Sequence, residues 1–322
     1  MTDNIKNTLR NKYRGCLLGL AAGDALGTTL EFKSPGSFLP LTDMVGGGPF
    51  RLDPGYWTDD TSMALCLAES LIKTRQFDAK DQIERYLRWY RQGHWSSTGR
   101  CFDIGNTTRT TLEQFEQGGD PLNGSTDEWS AANGSIMRLA PVPLAFAHDP
   151  ETGIRLSGQS SKTTHRLKIC IDACRYMGAV LVGAVNGETK EVLLSDHYRS
   201  DRMGWNTDPL DPKIAEIASG SFKHKQPPQI SGTGYVADCL ESALWAFYNS
   251  DTFEQGCLMA VNLGNDADTT GAVYGQIAGA YYGMDGANGI PGHWQEKIFQ
   301  RQSIIQFADN LLQMAAIPGG QF

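Results

Sequence analysis

The stretch Gly264–Gly283, GNDADTTGAVYGQIAGAYYG, joins two patterns that rarely adjoin. Its first part crowds Asp266, Asp268, Thr269 and Thr270 together, and its second spaces Gly271, Gly275, Gly279 and Gly283 four residues apart. Residues four apart share one face of a helix. Each glycine in a helix interior costs about 1 kcal/mol against alanine, so a repeated glycine implies a compensating close approach of another backbone or of a ligand. Working outward, the same ladder recurs at Gly15, Gly19, Gly23 and Gly27, in GCLLGLAAGDALG. Tight helix packing is the first reading of both ladders, with ligand approach as the alternative.

Helical periodicity continues between them. The spacing predicts helices over Thr8–Gly27, Thr58–Lys73, Asp81–Gln92, Thr164–Val185, Val236–Tyr248, Phe253–Asn262, Asp268–Tyr282 and Gln295–Met314. A further helix is expected with Asn106 as N-cap and Gly118 as its stop. Loops rich in Gly, Pro, Ser or Asp are expected over Lys33–Trp57, Gly118–Ser135 and Tyr198–Thr233. Alternating strand patterns are lacking. The expected class is all-α, and with no flexible linker in view residues 1–322 are expected to form one compact domain.

Composition narrows the function. A net charge of −8 argues against a nucleic-acid binder, which needs a basic surface. An acidic chain can still take a phosphate-bearing ligand through metal ions and backbone N–H groups. The longest apolar run, Cys16–Ala22, is far short of a membrane span, and the polar start MTDNIKNTLRNKYRG lacks a signal-peptide core. The seven cysteines form no CxxC pair. Cys170 and Cys174 share a helix face and could hold a soft metal, but buried thiols in a reducing cytoplasm are the better reading. A cytoplasmic protein is expected.

Two acidic turns stand before helices: Trp57-Thr58-Asp59-Asp60-Thr61 and Gly264-Asn265-Asp266-Ala267-Asp268-Thr269-Thr270. Either alone reads as helix capping, because Asp and Thr suit a helix N-terminus. Capping needs only one or two acceptors, and extra carboxylates repel one another unless a cation is present. Two turns of like make-up shift the reading toward a shared metal site. Carboxylate and hydroxyl donors favour Mg²⁺ or Mn²⁺ over Zn²⁺ or Cu⁺. Together the turns could hold two octahedral ions about 4 Å apart.

Several motifs then carry a family resemblance. Gly23-Asp24-Ala25-Leu26-Gly27 with Glu31-Phe32, the Trp57–Thr61 turn with Met63, Asn133-Gly134-Ser135-Ile136-Met137-Arg138, Thr164-His165 and Gly264–Thr269 occur in order along nearly the whole chain. Together they resemble the ADP-ribosylglycohydrolases. The block Ser96–Thr111, SSTGRCFDIGNTTRTT, resembles the bacterial arginine-specific branch that includes the dinitrogenase-reductase-activating glycohydrolase.

The resemblance implies a compact orthogonal helical bundle with a binuclear metal cleft. It implies an enzyme that removes ADP-ribose from a modified arginine of a protein substrate and releases ADP-ribose. Another linkage (serine, nucleobase or ester), or a non-catalytic ADP-ribose-binding protein, is the alternative. By resemblance Thr58, Asp59, Asp60, Asp266, Asp268 and Thr269 hold the metals, and Asp103 or Glu31 serves as the catalytic carboxylate. Asn106, Thr107, Thr108, Ser130, Asn133, Gly134, His165 and Tyr235 contact the substrate. Plainer alternatives stand beside these roles. Asp103 could cap the next helix, Glu31 could pair with Lys33 or Arg51, and His165 could be a core histidine behind a Thr163-Thr164 cap. Arg138 could bind phosphate or anchor its loop by a salt bridge, and Tyr235 could stack on adenine or merely pack.

Overall fold

The structure, a computed structural model, describes residues 3–196, 198 and 207–316. Its helices follow in order as α1 (Asp3–Gly27), α2 (Asp59–Thr74), α3 (Ala79–Gln92), α4 (Asn106–Glu116), α5 (Pro141–Ala145), α6 (Pro150–Ser161) and α7 (Lys168–Val185). Then come α8 (Lys190–Leu193), α9 (Pro212–Ala218), α10 (Val236–Tyr248), α11 (Phe253–Val261), α12 (Ala267–Tyr282), α13 (Gly292–Lys297) and α14 (Arg301–Ala315). Extended pairing among the described residues is limited to isolated bridges at Gly47–Leu52, Ser125–His165 and Ala132–Tyr235. The fold is an all-α bundle, and no helix among the described residues is long and apolar enough to cross a membrane.

The two glycine ladders meet face to face. A Cβ added at Gly23 would lie 2.0 Å from the carbonyl oxygen of Gly271, one at Gly19 would lie 2.3 Å from that of Gly275, and one at Gly15 would lie 2.3 Å from that of Gly279. The ascending numbers of α1 run against the descending numbers of α12, so the pair is antiparallel. The helices touch through backbone along this whole seam, which settles the ladders as packing devices. Around the pair, α10 and α11 flank α12, α7 reaches its outer side, and α14 covers α1 and α2.

Local signals explain most boundaries. Asp78 caps α3 by accepting from the backbone N–H groups of Lys80 and Asp81, and Gly93 ends it in the left-handed region. Its buried stripe is Gln82, Ile83, Tyr86 and Trp89, whereas Leu87 and Tyr90, in line with Ile83 by spacing, are only half-buried. Other expectations need correction. The residues 295–314 form two helices, because Gln300 adopts φ 46° and breaks the run. Helix α7 starts at Lys168 with Leu167 at its N-cap, so Thr163 and Thr164 do not cap it. Asn106 is the first residue of α4, and Gly105 holds the N-cap position without a side-chain cap. Helix α6 was not anticipated at all. It is capped by Asp149, which accepts from the backbone N–H of Thr152, with Pro150 in the first turn. The loop expected over Tyr198–Thr233 contains α9, and its residues 199–206 lie outside the described set. All seven cysteines are free. The Cys170 and Cys174 sulfurs face the carbonyl of Ala132 and the hydroxyl of Ser135, so the soft-metal reading has no ligand set behind it.

Candidate metal centre

The seam between α1 and α12 opens at its upper end into a cavity of about 460 Å³, a size suited to a small ligand. Glu31, Asp59, Asp103, Asp266 and Asp268 line it, and no lysine or arginine does. The two acidic turns therefore come together, with α2 and α12 presenting their N-termini to one space. Thr58 and Asp266 stand at the two N-cap positions, and neither side chain makes a cap hydrogen bond to its helix. The N-cap residues themselves therefore do not cap, and of the turns' own carboxylates among the described residues only Asp268 accepts, through Oδ1, from a first-turn backbone N–H, that of Thr269 at 2.9 Å.

Backbone bonds hold the turns in place. The N–H of Phe32 donates to the carbonyl of Asn265, and the N–H of Asn265 donates to that of Lys33, each at 2.7 Å. This ties the Glu31 loop to the second acidic turn. Gly264 at φ 72° and Asn265 at φ 56° make the tight reversal. A side chain at Gly264 would strike the carbonyl of Lys33, 2.6 Å from its Cβ. The Asn133 amide donates to Asp266 Oδ2 at 3.0 Å, which aims that carboxylate.

A further buried carboxylate, to which the sequence assigns no role, belongs to Asp24 of the Gly23–Gly27 motif. It is fully buried within α1. Its Oδ1 accepts from the backbone N–H and hydroxyl of Thr58 at 2.9 and 3.0 Å, and its Oδ2 accepts from those of Thr61 at 3.0 and 2.6 Å. These four bonds shape the first acidic turn from below. The available signal is a single charged residue, one position after a ladder glycine, in the otherwise apolar second half of α1.

Two triplets can gather around a cation: Asp24, Asp60 and Asp268, and Glu31, Asp103 and Asp268, with the candidate oxygens of each within 4.8 Å of one another. Asp24 spends both oxygens on Thr58 and Thr61, so its part in the first triplet is chiefly to fix the floor. Among the described residues the buried Oδ1 of Asp60 and Oε2 of Glu31 have no hydrogen-bond partner. Buried carboxylate oxygens left bare beside other carboxylates are expensive in the absence of a cation. Burial, and then the charges of neighbouring carboxylates, push Asp59, Asp60 and Asp268 well above the usual range. Burial and Asp266 raise Asp103 to about 7, and burial with Asp103 raises Glu31 to about 10. An all-oxygen donor set with orphaned carboxylate atoms fits hard divalent cations.

The remaining expected residues fall into four groups. Asn106, Thr107, Thr108, Asn133, Gly134, His165 and Thr269 line the cavity. Thr58 and Asp60 lie beneath its floor, where the Thr58 hydroxyl is 3.0 Å from both Asp24 Oδ1 and Asp60 Oδ2. Ser130 lines an adjoining groove that shares Asn106 and Thr107 with the cavity. Tyr235 stays out of both walls, 38% exposed and bridged through its backbone to Ala132. Asp103 does not cap α4. It holds φ 58° at the cavity wall, an uncommon backbone state that aspartate tolerates better than most residues. Glu31 is 5% exposed, and among the described residues it makes no ion pair with Lys33 or Arg51. Arg138 is fully buried and meets the hydroxyls of Thr163 and Thr164, which corrects both the phosphate and the salt-bridge readings. Phe32, Ile104, Gly105, Ala132 and Met137 complete the wall; Ala132 carries no sequence signal, and the others stand within the sequence motifs without a role of their own.

The profile described as ADP-ribosylglycohydrolase matches residues 5–319. An ADP-ribosylarginine hydrolase, Tri1, from Serratia proteamaculans is 44% identical over 305 residues, which cover 95% of this chain and 80% of that protein. The ADP-ribosyl-dinitrogen reductase glycohydrolase of Rhodospirillum rubrum is 29% identical, covering 96% of this chain and 98% of its own. A solved structure described as an ADP-ribosylglycohydrolase-related protein complex superposes with a TM-score of 0.83 at 42% identity, covering 96% of this chain and 99% of that one.

Proposed function

Because the chain belongs to the ADP-ribosylglycohydrolase family, we propose that it is a hydrolase that removes ADP-ribose from modified arginine on a protein, with residues 1–322 acting as one catalytic domain. The observation that carries this reading is the convergence of two distant acidic turns on one cavity with orphaned carboxylate oxygens. The arginine linkage is supported by the 44% identity to an ADP-ribosylarginine hydrolase.

Thr58, Asp59 and Asp60 on one side, and Asp266, Asp268 and Thr269 on the other, would hold two divalent ions, Mg²⁺ or Mn²⁺. When bound, hard divalent ions supply Lewis-acid polarisation and offset the charge of the acidic floor. The protein's own residues do the rest. Asn133 fixes the Asp266 carboxylate, and Asp24 fixes the Thr58–Thr61 turn. Asn106, Thr107 and Thr108 open α4, where free backbone N–H groups suit a phosphate. Glu31 and Asp103 flank the place where the sugar's C1″ would sit. One of them takes a proton from the attacking water as the new C1″–O bond forms. The C1″–N bond breaks with oxocarbenium character, and the departing guanidine nitrogen receives a proton from the same carboxylate pair.

The test is incubation with an arginine-ADP-ribosylated protein, with Mg²⁺ or Mn²⁺ and after chelation, read by mass spectrometry. Loss of the modification only in the presence of ions is expected. Release at an equal rate after chelation, or no release from arginine alongside release from serine-, base- or ester-linked substrates, would sink the mechanism or the linkage respectively.

A further inference from the structure

Directly behind the cavity wall lies a buried cation with no acid to balance it. Arg138 is fully buried, and among the described residues no carboxylate pairs with it. Its guanidinium stands 4.5 Å from the centroid of the Tyr86 ring. Nη2 donates to Thr164 Oγ1 at 2.6 Å and to Thr163 Oγ1 at 3.3 Å. The Thr163 hydroxyl spends its own hydrogen on the carbonyl of Ser160 at 2.9 Å. Thr164 Oγ1 has one further polar neighbour among the described residues, Nδ1 of His165 at 2.8 Å.

Proton counting then decides the state of the ring. A guanidinium only donates, and a hydroxyl has a single hydrogen. Thr164 receives from Arg138, so its own hydrogen has His165 Nδ1 as its acceptor. Were Nδ1 instead to donate, the buried hydroxyl hydrogen would have no partner, a state native interiors avoid. With Nδ1 accepting, the ring proton belongs on Nε2. His165 is 1% exposed and lines the cavity. Among the described residues Nε2 has no protein partner, and a Cβ at Gly134 would come within 3.1 Å of it. The ring also stays neutral: burial, and then the Arg138 charge, lower its pKa to about 3.

We propose that Arg138, acting through Thr164, locks His165 as the neutral Nε2–H tautomer, a desolvated donor held ready for an anionic oxygen of the ligand's diphosphate. Arg138 and Thr164 are positioning residues, and His165 is the group that touches the ligand. The relay places positive potential behind one wall of an otherwise acid-lined cavity, which favours a ligand whose anionic group is separate from its reacting sugar. The identity of the acceptor rests on the ADP-ribosyl reading above; the tautomer does not.

The test uses the full chain with ¹⁵N-labelled histidine, and the His165 signals are assigned by their loss in His165→Asn. Long-range ¹H–¹⁵N spectra of the wild type should show Nε2 protonated and Nδ1 bare from pH 5 to 8. Thr164→Val removes the relay hydroxyl at nearly constant volume and should give mixed tautomers, while Thr164→Ser restores the wild-type pattern. Calorimetric titration with ADP-ribose should show affinity about tenfold weaker in Thr164→Val and nearly unchanged in Thr164→Ser. An Nδ1–H ring in the wild type overturns the proposal, as does a Thr164→Val protein that keeps both the Nε2–H pattern and wild-type affinity. A wild type with the expected ring pattern that binds no ADP-ribose counts against the ADP-ribosyl substrate and not against the relay.

Discussion

Replacing Gly23 by alanine tests the link between the helix seam and the metal centre. Helix propensity alone predicts a gain of about 1 kcal/mol. The structure predicts the opposite, since the new Cβ would sit 2.0 Å from the carbonyl oxygen of Gly271 and 2.3 Å from its carbon. These are backbone atoms of a packed helix, with no flexible side chain to swing aside, so α1 and α12 must part by about 1 Å. Overpacking of this kind costs about 3 kcal/mol or more, leaving a net loss of about 2 kcal/mol. With an unfolding entropy of about 2.1 cal/mol/K per residue, that loss lowers Tm by about 3 °C. The displacement falls next to Asp24 and one turn from Asp268, whose oxygens belong to one triplet. Mn²⁺ affinity should therefore fall at least about tenfold, and turnover by about a hundredfold if an ångström of misplacement has its usual effect. Gly15→Ala, against the carbonyl of Gly279 at 2.3 Å, is the control at the far end of the seam: a similar drop in Tm with ion affinity kept. Scanning calorimetry and isothermal titration with Mn²⁺ measure both quantities. A Gly23→Ala protein with raised Tm, or one that loses stability yet binds Mn²⁺ as Gly15→Ala does, would refute the reasoning.

Other expectations follow from the same geometry. Mn²⁺ at a hundredfold excess over its Kd should stabilise the protein by about 2.7 kcal/mol, and this increment should vanish in Asp60→Ala and in Asp268→Ala when melting is followed with and without the ion. Asp24→Ala removes the acceptor for Thr58 and Thr61 and a member of one triplet and should abolish ion-dependent stabilisation; wild-type Mn²⁺ binding in this variant would show that the floor forms without it. The pKa of His165 is lowered to about 3 in the folded chain by burial and Arg138, against about 6.5 unfolded. The unfolded chain therefore binds more protons between these values, and the contribution of the neutral ring, full above pH 6.5, is lost as pH falls toward 3. The stability of wild type relative to His165→Asn, measured by urea melts from pH 7.5 to 4.5, should shrink steadily on acidification, and a constant difference would contradict a buried neutral ring.

Much of this architecture was legible because a few residues carry strong local meaning. The four-residue glycine spacing pointed first to close packing with another bare helix, and the second ladder is that helix. Crowded carboxylates before α2 and α12 pointed to a cation because repulsion does not depend on tertiary detail. Helix α6 was missed because PETGIRLSGQSS is rich in turn-forming residues, and its burial comes from α5 and α7 packed against it. The break inside 295–314 is not legible locally: Gln300 takes φ 46°, beside Phe299, whose N–H donates to the carbonyl of Gly55 and whose ring stacks on Tyr56 at 4.6 Å. Asp24 stands out locally as a charge in an apolar stretch, but its role is not legible there, since its bonds go to residues more than 30 positions away. The relay from Arg138 likewise exists only after the 133–138 turn is laid against Thr164.

The antiparallel pairing of α1 with α12 also dictates when the centre can come into being. Its two acidic turns lie about 200 positions apart in the chain, so their meeting requires one long loop to close, an entropic step that local helix formation does not lessen. A polypeptide emerging from the ribosome can form α1 and the Thr58–Thr61 turn early, but it has no cation site until α12 has been synthesised and has slid its bare face along the first helix. On the proposed metal centre, partial translation products would be inert toward the ion, and its capture would report that both ladders have found each other.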